Sequence, residues 1–410
     1  MDTEQQLNSV SGERVNKNSD HPYSVTSMTL ADGRELIYFD DDPEVLNGSV
    51  QRTLTDSREL PHAKTDSEIR RDPLSGEWVA YASHRMNRTF LPPANEDPLA
   101  PTIPDHLPTE IPSPDYDVVV FENRFPSFSM HMSRTPRAEG NNGGTIQYSA
   151  DDDALVDNGM VPHRPALARC EVICFTPDIS GSFKDLPVSR IRTVIEAWAH
   201  RTKALSAIPE VRHVYPFENR GEEIGVTLQH PHGQIYSYPE IPPRIRNIVH
   251  SSKRYREENG SDLFADLLSA EVEEGTRVID CTDHFVVFVP AAAKWPLEVM
   301  VMPRRSVPDF EELSQGERAD LAPLLKKLYT AVDKFFDGVE RTPYIASWNQ
   351  APTVPEDRDH VRLHLQLFSL MRSPHRLKYL AGSESGMGFW INDTTPERIA
   401  PRFREIWDDI

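Results

Sequence analysis

One stripe of apolar residues occurs twice in this chain at a constant spacing of 130 positions: Ile191, Val194, Ile195, Trp198 and Leu205 are matched by Leu321, Leu324, Leu325, Leu328 and Phe335. Each set follows the i, i+3, i+4, i+7 rhythm of one helix face, so each predicts a long helix lying on a sheet. The flanking segments repeat too. Val172-Ile173-Cys174-Phe175, closed by Pro177, and then Leu186 precede the first helix; Val299-Met300-Val301-Met302, closed by Pro303, and then Leu313 precede the second. Asn219 and His230-Pro231-His232-Gly233-Gln234 follow the first; Asn349 and Arg362-Leu363-His364-Leu365-Gln366 follow the second. Ser314 and Glu317 also read as a capping box at the second helix start. A shared stripe alone could be accident, but strand, helix and following segment keep nearly one offset, which marks a duplicated unit. The predicted fold class is α+β, with two tandem units that each lay one long helix on a mainly antiparallel sheet. In this alignment Gln366 takes the place of His232, so only the first copy keeps the exposed histidine.

The 410 residues suit that duplication, since domains run to about 100–200 residues. We expect units at 63–242 and 243–410, preceded by a polar extension, 1–62, of flexible character. Lys plus Arg number 44 against 64 Asp plus Glu, a net charge of −20, which disfavours nucleic acid and anionic membrane as partners. An anionic substrate would need local arginines. Cys170, Cys174 and Cys281 are the only cysteines; they form no Cys-x-x-Cys or finger spacing, which argues against a disulfide framework and for a reducing cytoplasm. No apolar signal core or membrane-length run is expected. Prolines crowd between Pro92 and Pro114, predicting an ordered irregular loop that covers something.

The chemistry concentrates in His230-Pro231-His232-Gly233-Gln234. A neutral imidazole keeps a lone pair on one nitrogen while the other holds a proton, which makes it a competent nucleophile toward phosphorus once the protonated nitrogen is anchored. Pro231 stiffens the path. Gly233 would let phosphate oxygens approach the backbone, and the Gln234 amide would donate to a non-bridging oxygen as charge develops. His-x-His on one strand face could equally ligate a metal or lie in a core. The following Gly-Gln and the preceding Gly225-Val226-Thr227 favour the catalytic reading for His232 and leave His230 open.

Phe217-Glu218-Asn219-Arg220-Gly221 and Gly225-Val226-Thr227-Leu228-Gln229-His230-Pro231-His232-Gly233-Gln234-Ile235-Tyr236 resemble the galactose-1-phosphate uridylyltransferases, tandem members of the histidine-triad (HIT-like) superfamily. Arg70 to Trp78, Ser83 to Arg88 and Val120 to Phe125 resemble that family's N-terminal and uridine-site motifs, so the resemblance runs from about Ile69 to the C-terminus. It implies a ping-pong enzyme in galactose metabolism in which His232 takes the uridylyl group from UDP-glucose and passes it to galactose 1-phosphate, with Gln234 holding the transferring group. It further implies phosphate binding by Arg85 and Arg88, uridine contacts from Asn123 and Phe125, and Asn219 and Thr227 near the phosphates. Taken alone, Phe125 reads as a core aromatic and Arg85 as a surface ion-pair residue. Lys378-Tyr379-Leu380-Ala381-Gly382-Ser383-Glu384 resembles the hexose-phosphate loop. The resemblance gives Lys378 the phosphate and Glu384 the sugar hydroxyls, with Tyr379 and Gly382 beside them, in a loop that reaches a neighbouring subunit's site and so implies a homodimer. A phosphorylase or hydrolase of nucleoside diphosphate sugars using the same histidine, and a catalytically silent nucleotide-binding protein, are the alternatives.

Metal-binding members of that family carry Cys-x-x-Cys where this chain has Asp97 to Ile103. Their zinc sphere adds the first motif histidine and another for which His163 is a loose match. At their second metal site this chain shows Ile248, Ser306 and Gln366, leaving His364. The expectation is therefore no cofactor, with neither zinc nor iron bound. Ser383 and Met387 to Trp390 depart from the family's sugar loop, which leaves open N-acetylated hexose 1-phosphates as acceptors.

Overall fold

The computed structural model describes residues 12–13, 20–87, 96–104, 106–132 and 161–410. Both apolar stripes form long helices, Val188–Ser206 and Gln315–Lys334. Their stripe residues are buried, apart from Phe335, which is half-buried at the second helix's C-cap. The capping box is present: the Ser314 side chain accepts from Glu317 N at 3.2 Å and the Glu317 carboxylate accepts from Ser314 N at 2.7 Å.

Among the described residues the two units share one continuous sheet of twelve strands. At its centre His213–Arg220 and Tyr344–Asn349, one strand from each unit, run antiparallel. Outward from this seam come His232–Tyr238, Cys170–Cys174 and Val118–Glu122 on one side, and His364–Ser369, Leu297–Pro303 and Phe285–Phe288 on the other. Joining edge to edge removes a free strand edge from each unit. Both helices cover the same face, where Ile173 and Ile235 share a core with Val299 and Leu365. Across the seam the helices are tied by Arg318 to Glu196 (2.5 Å), and Arg220 pairs with Asp333.

The register corrects the sequence alignment of the two copies. Phe217 lies opposite Ser347 across the seam, Gln234 lies opposite Phe217, and Gln366 lies opposite Ser347. Gln366 is thus the counterpart of Gln234, His364 that of His232, and Arg362 that of His230. A two-residue slip keeps every side chain on its original face, so alternation cannot reveal it.

Residues 20–62 do not stand apart as an extension. Ser24–Thr29 and Glu35–Asp40 form a hairpin around Asp32-Gly33, where Gly33 has φ +89°, and the second strand pairs with Val118–Glu122. Val118–Glu122 is buried throughout and needs a partner on its outer edge; Leu36, Ile37, Tyr38 and Phe39 supply it and are themselves buried. Among the described residues, no helix is long and apolar enough to cross a membrane.

Candidate active site

The sheet face opposite the helices carries the histidine motif. His232 opens the strand His232–Tyr238, whose half-buried residues His232, Gln234, Tyr236 and Tyr238 alternate with buried Gly233, Ile235 and Ser237. This alternation aims His232 and Gln234 the same way. The His232 Nδ1–H donates to the carbonyl of His230 at 2.7 Å. A carbonyl only accepts, so this bond fixes the tautomer and leaves the Nε2 lone pair for chemistry. Burial lowers the ring's pKa below 6.5, which keeps that lone pair available at neutral pH.

The first motif histidine has a different setting. His230 is 2% exposed, its Nε2–H donates to the Thr176 carbonyl at 2.8 Å, and the Tyr116 hydroxyl is 3.0 Å from the same nitrogen. Its Nδ1 faces Asp97 Oδ2 at 3.3 Å. Asp97 belongs to the proline-rich stretch, whose described part lies over the site face: Leu99 and Ile111 pack with Val172 and Cys174.

Gly233 does not do what its sequence suggests. It points away from the motif's exposed face, and a Cβ there would lie 2.9 Å from Phe175 Cζ and 2.9 Å from the Phe217 carbonyl. Glycine is required by packing, not by an approaching phosphate. Gly233→Ala should therefore destabilise the fold by about 1–3 kcal/mol and lower activity by displacing His232. Thermal melting and initial rates would check both; an unshifted melt would show that the strand tolerates the methyl.

A cleft of about 230 Å³ lies beside His232, lined by Asn219, Val226, Leu228 and, from the second unit, Arg341. Thr227 sits between two of these lining residues. A second cavity of about 180 Å³ holds Asn123 and Phe125 together with His84 and Thr65. The Asn123 side chain accepts from Phe125 N at 2.9 Å, shaping the turn that presents the ring. Arg85 Nη1 donates to the Phe125 carbonyl at 2.9 Å and lies 3.4 Å from the Tyr236 hydroxyl. Arg85 thus lies against Phe125, which lines the second cavity, and against Tyr236 of the strand that His232 opens. Arg88 lies outside the described residues. Arg341, Asp97 and Tyr116 escape sequence reasoning because each reaches the site from a distant segment with no motif of its own.

None of the C-terminal loop residues Lys378, Tyr379, Gly382 and Glu384 lines the cleft. Lys378 is buried, with its ammonium on the Ile391 carbonyl and 3.6 Å from Glu384. Glu384, near the start of the short helix Gly382–Met387, accepts from Ala381 N at 3.2 Å. Tyr379 projects outward, 77% exposed.

The second unit preserves the anchor but closes the site. His364 Nδ1–H donates to the Arg362 carbonyl at 2.7 Å, repeating the His232 bond. Phe264, from the helix Leu263–Glu274, packs on the ring at 5.8 Å, and Ile245 and Val249 of Pro243–Asn259 join that cluster. Burial pushes the His364 pKa down to about 4.

The donor set does not suit zinc or iron. Among the described residues no three or more His, Cys, Asp or Glu converge. His163 lies on a small separate sheet with Nδ1 3.3 Å from Glu68, and His230, whose Nε2 is taken by a backbone carbonyl, offers only Nδ1, with Asp97 as the one further donor beside it. A structural zinc site needs four ligands.

A family model described as the N-terminal domain of galactose-1-phosphate uridyl transferase matches residues 58–242, and one for its C-terminal domain matches 248–408. The chain belongs to the galactose-1-phosphate uridylyltransferase family. It is 38% identical over 396 residues to the galactose-1-phosphate uridylyltransferase of Streptomyces lividans, covering 93% of this chain and 98% of that one. The enzyme of that name from Thermotoga maritima is 33% identical over 339 residues, covering 82% and 98%. A solved uridylyltransferase is 30% identical with a TM-score of 0.69, covering 83% of this chain and 99% of the other. The fold is thus shared with that uridylyltransferase over nearly the whole of its length.

Proposed function

We propose that this chain moves a uridylyl group from UDP-glucose to a hexose 1-phosphate, galactose 1-phosphate first among them, through a covalent intermediate on His232. The observation that carries this reading is the Nδ1–H bond from His232 to the His230 carbonyl, which leaves Nε2 unprotonated at the wall of a cleft. Nε2 attacks the α-phosphorus of UDP-glucose, the N–P bond forms, and the bond to the bridging oxygen breaks to release glucose 1-phosphate. A phosphate oxygen of the acceptor then attacks the same phosphorus, the N–P bond breaks, and the histidine returns to its neutral form. Gln234 faces the same way and would donate to a non-bridging oxygen; Asn219 and Arg341 line the cleft that would take the leaving phosphate.

The C-terminal loop supports a homodimer with shared sites. Tyr379, Met387 and Phe389, all of this loop, are 77%, 82% and 73% exposed, apolar surface suited to a partner. There Tyr379, Gly382 and Glu384 would meet the partner's hexose phosphate, with Lys378 shaping the loop. Sedimentation as a monomer at assay concentration would remove this part of the reading.

The test of the chemistry is incubation with UDP-glucose labelled in the uridine. An acid-labile label on the protein, formed with one equivalent of glucose 1-phosphate and discharged by galactose 1-phosphate, is expected. Discharge by inorganic phosphate or water in preference would point to a phosphorylase or hydrolase, and no label at all would defeat the covalent route.

A further inference from the structure

We propose that Asp97, Tyr116 and the Thr176 carbonyl, by gripping the side chain of His230, position the nucleophile His232 without a bound metal. The inference rests on the covalent reading of His232 and adds positioning residues to it.

The His230 carbonyl is what fixes the His232 tautomer, so whatever holds residue 230 aims the nucleophile. The side chain of His230 is bonded on one edge, Nε2 against the Thr176 carbonyl at 2.8 Å and the Tyr116 hydroxyl at 3.0 Å; on the other edge Nδ1 makes no hydrogen bond and lies 3.3 Å from Asp97 Oδ2, a contact that becomes an ion pair when the ring carries both protons. Tyr116 closes the cluster by donating to the same Thr176 carbonyl at 2.7 Å. All three side chains are buried, where such a network cannot exchange its partners for water.

The second unit shows the same device built from different atoms. Arg362, the counterpart of His230, offers its carbonyl to His364 Nδ1 at 2.7 Å. Its guanidinium lies 3.3 Å from the Arg304 carbonyl and 3.5 Å from Asp262. In both units the residue two before the histidine is thus tethered to a backbone carbonyl just past the neighbouring strand and lies against an aspartate from a covering segment. Arginine cannot ligate a metal in the manner of histidine, so the tether in the second unit is an ion pair by construction. The first unit places Asp97 at the corresponding side of His230, 3.3 Å from Nδ1.

The clamp predicts a kinetic signature distinct from loss of folding. Asp97→Ala should lower kcat for glucose 1-phosphate release about 10–100-fold, the usual cost of losing a group that orients a catalytic or ligating histidine, with KM for UDP-glucose within about threefold. Asp97→Asn should recover part of the loss. Tyr116→Phe should cost about fivefold, the worth of one hydrogen bond. In protein labelled with ¹⁵N-histidine, His232 should hold its proton on Nδ1 alone, and Asp97→Ala should shift it toward a mixture of tautomers. Prolonged chelation should leave wild-type activity unchanged. Wild-type kcat together with an unaltered His232 tautomer in Asp97→Ala would overturn the proposal, as would one tightly held metal per chain whose removal abolishes activity. Absence of a uridylyl adduct in the wild type would instead defeat the covalent reading, and the tautomer measurement would still decide the clamp.

Discussion

His232→Asn is expected to abolish uridylyl transfer while leaving the fold in place. The asparagine amide can reproduce the donor that His232 Nδ1 gives to the His230 carbonyl at 2.7 Å, so the strand entrance stays satisfied. It offers no lone pair basic enough to attack phosphorus. Removing the nucleophile of a covalent mechanism costs about 10⁴–10⁶ in kcat, and the residual rate would come only from substrate positioning in the cleft. The assay is single-turnover release of glucose 1-phosphate, with the melting temperature as control. A loss of less than about tenfold would move the nucleophile elsewhere. The internal comparison is His364→Asn, which alters the structural counterpart and should leave the rate unchanged, because Phe264 already covers that ring.

The duplication was legible because it rests on local periodicity: helix stripes, a capping box and β-branched runs each announce themselves within a dozen residues. The family motif was legible for the same reason, and it marks His232, Gln234 and Asn219 on adjoining strands. Contacts between distant segments were not. Asp97 meets His230 across the sheet face, and neither residue's neighbours advertise the meeting. The pairing of the copies was misread by two residues because strand faces repeat every second position, so only the Phe217–Ser347 seam could settle it. Gly233 was misread because glycine beside a catalytic residue suggests ligand access, whereas its missing Cβ faces Phe175. The first 62 residues looked separable because their polarity hides one hairpin whose second strand, Glu35–Asp40, is buried beside Val118–Glu122.

Acid should destabilise the folded chain through histidines that take no part in catalysis. His213 and His364 are buried, and desolvation pushes each pKa down to about 4. The unfolded chain titrates both near 6.5. Between these values the unfolded state binds protons that the folded state refuses, so stability is fully present above pH 6.5 and falls as pH drops toward 4. A shift of this size corresponds to about 3 kcal/mol for each ring. Glu218 works in the opposite direction: burial raises its pKa to about 7, so its contribution is fully present below the ordinary carboxylate range and is lost as pH rises through 7. The net slope therefore mixes signs, and the informative quantity is the difference between two proteins. His364→Gln keeps a donor for the Arg362 carbonyl and removes one titrating ring. Wild type should lose about 2 kcal/mol relative to His364→Gln between pH 7 and pH 4.5 in reversible urea unfolding. Parallel pH profiles for the two would mean that the His364 ring accepts a proton in place, and that the helices Pro243–Asn259 and Leu263–Glu274 do not seal the second unit's site from water.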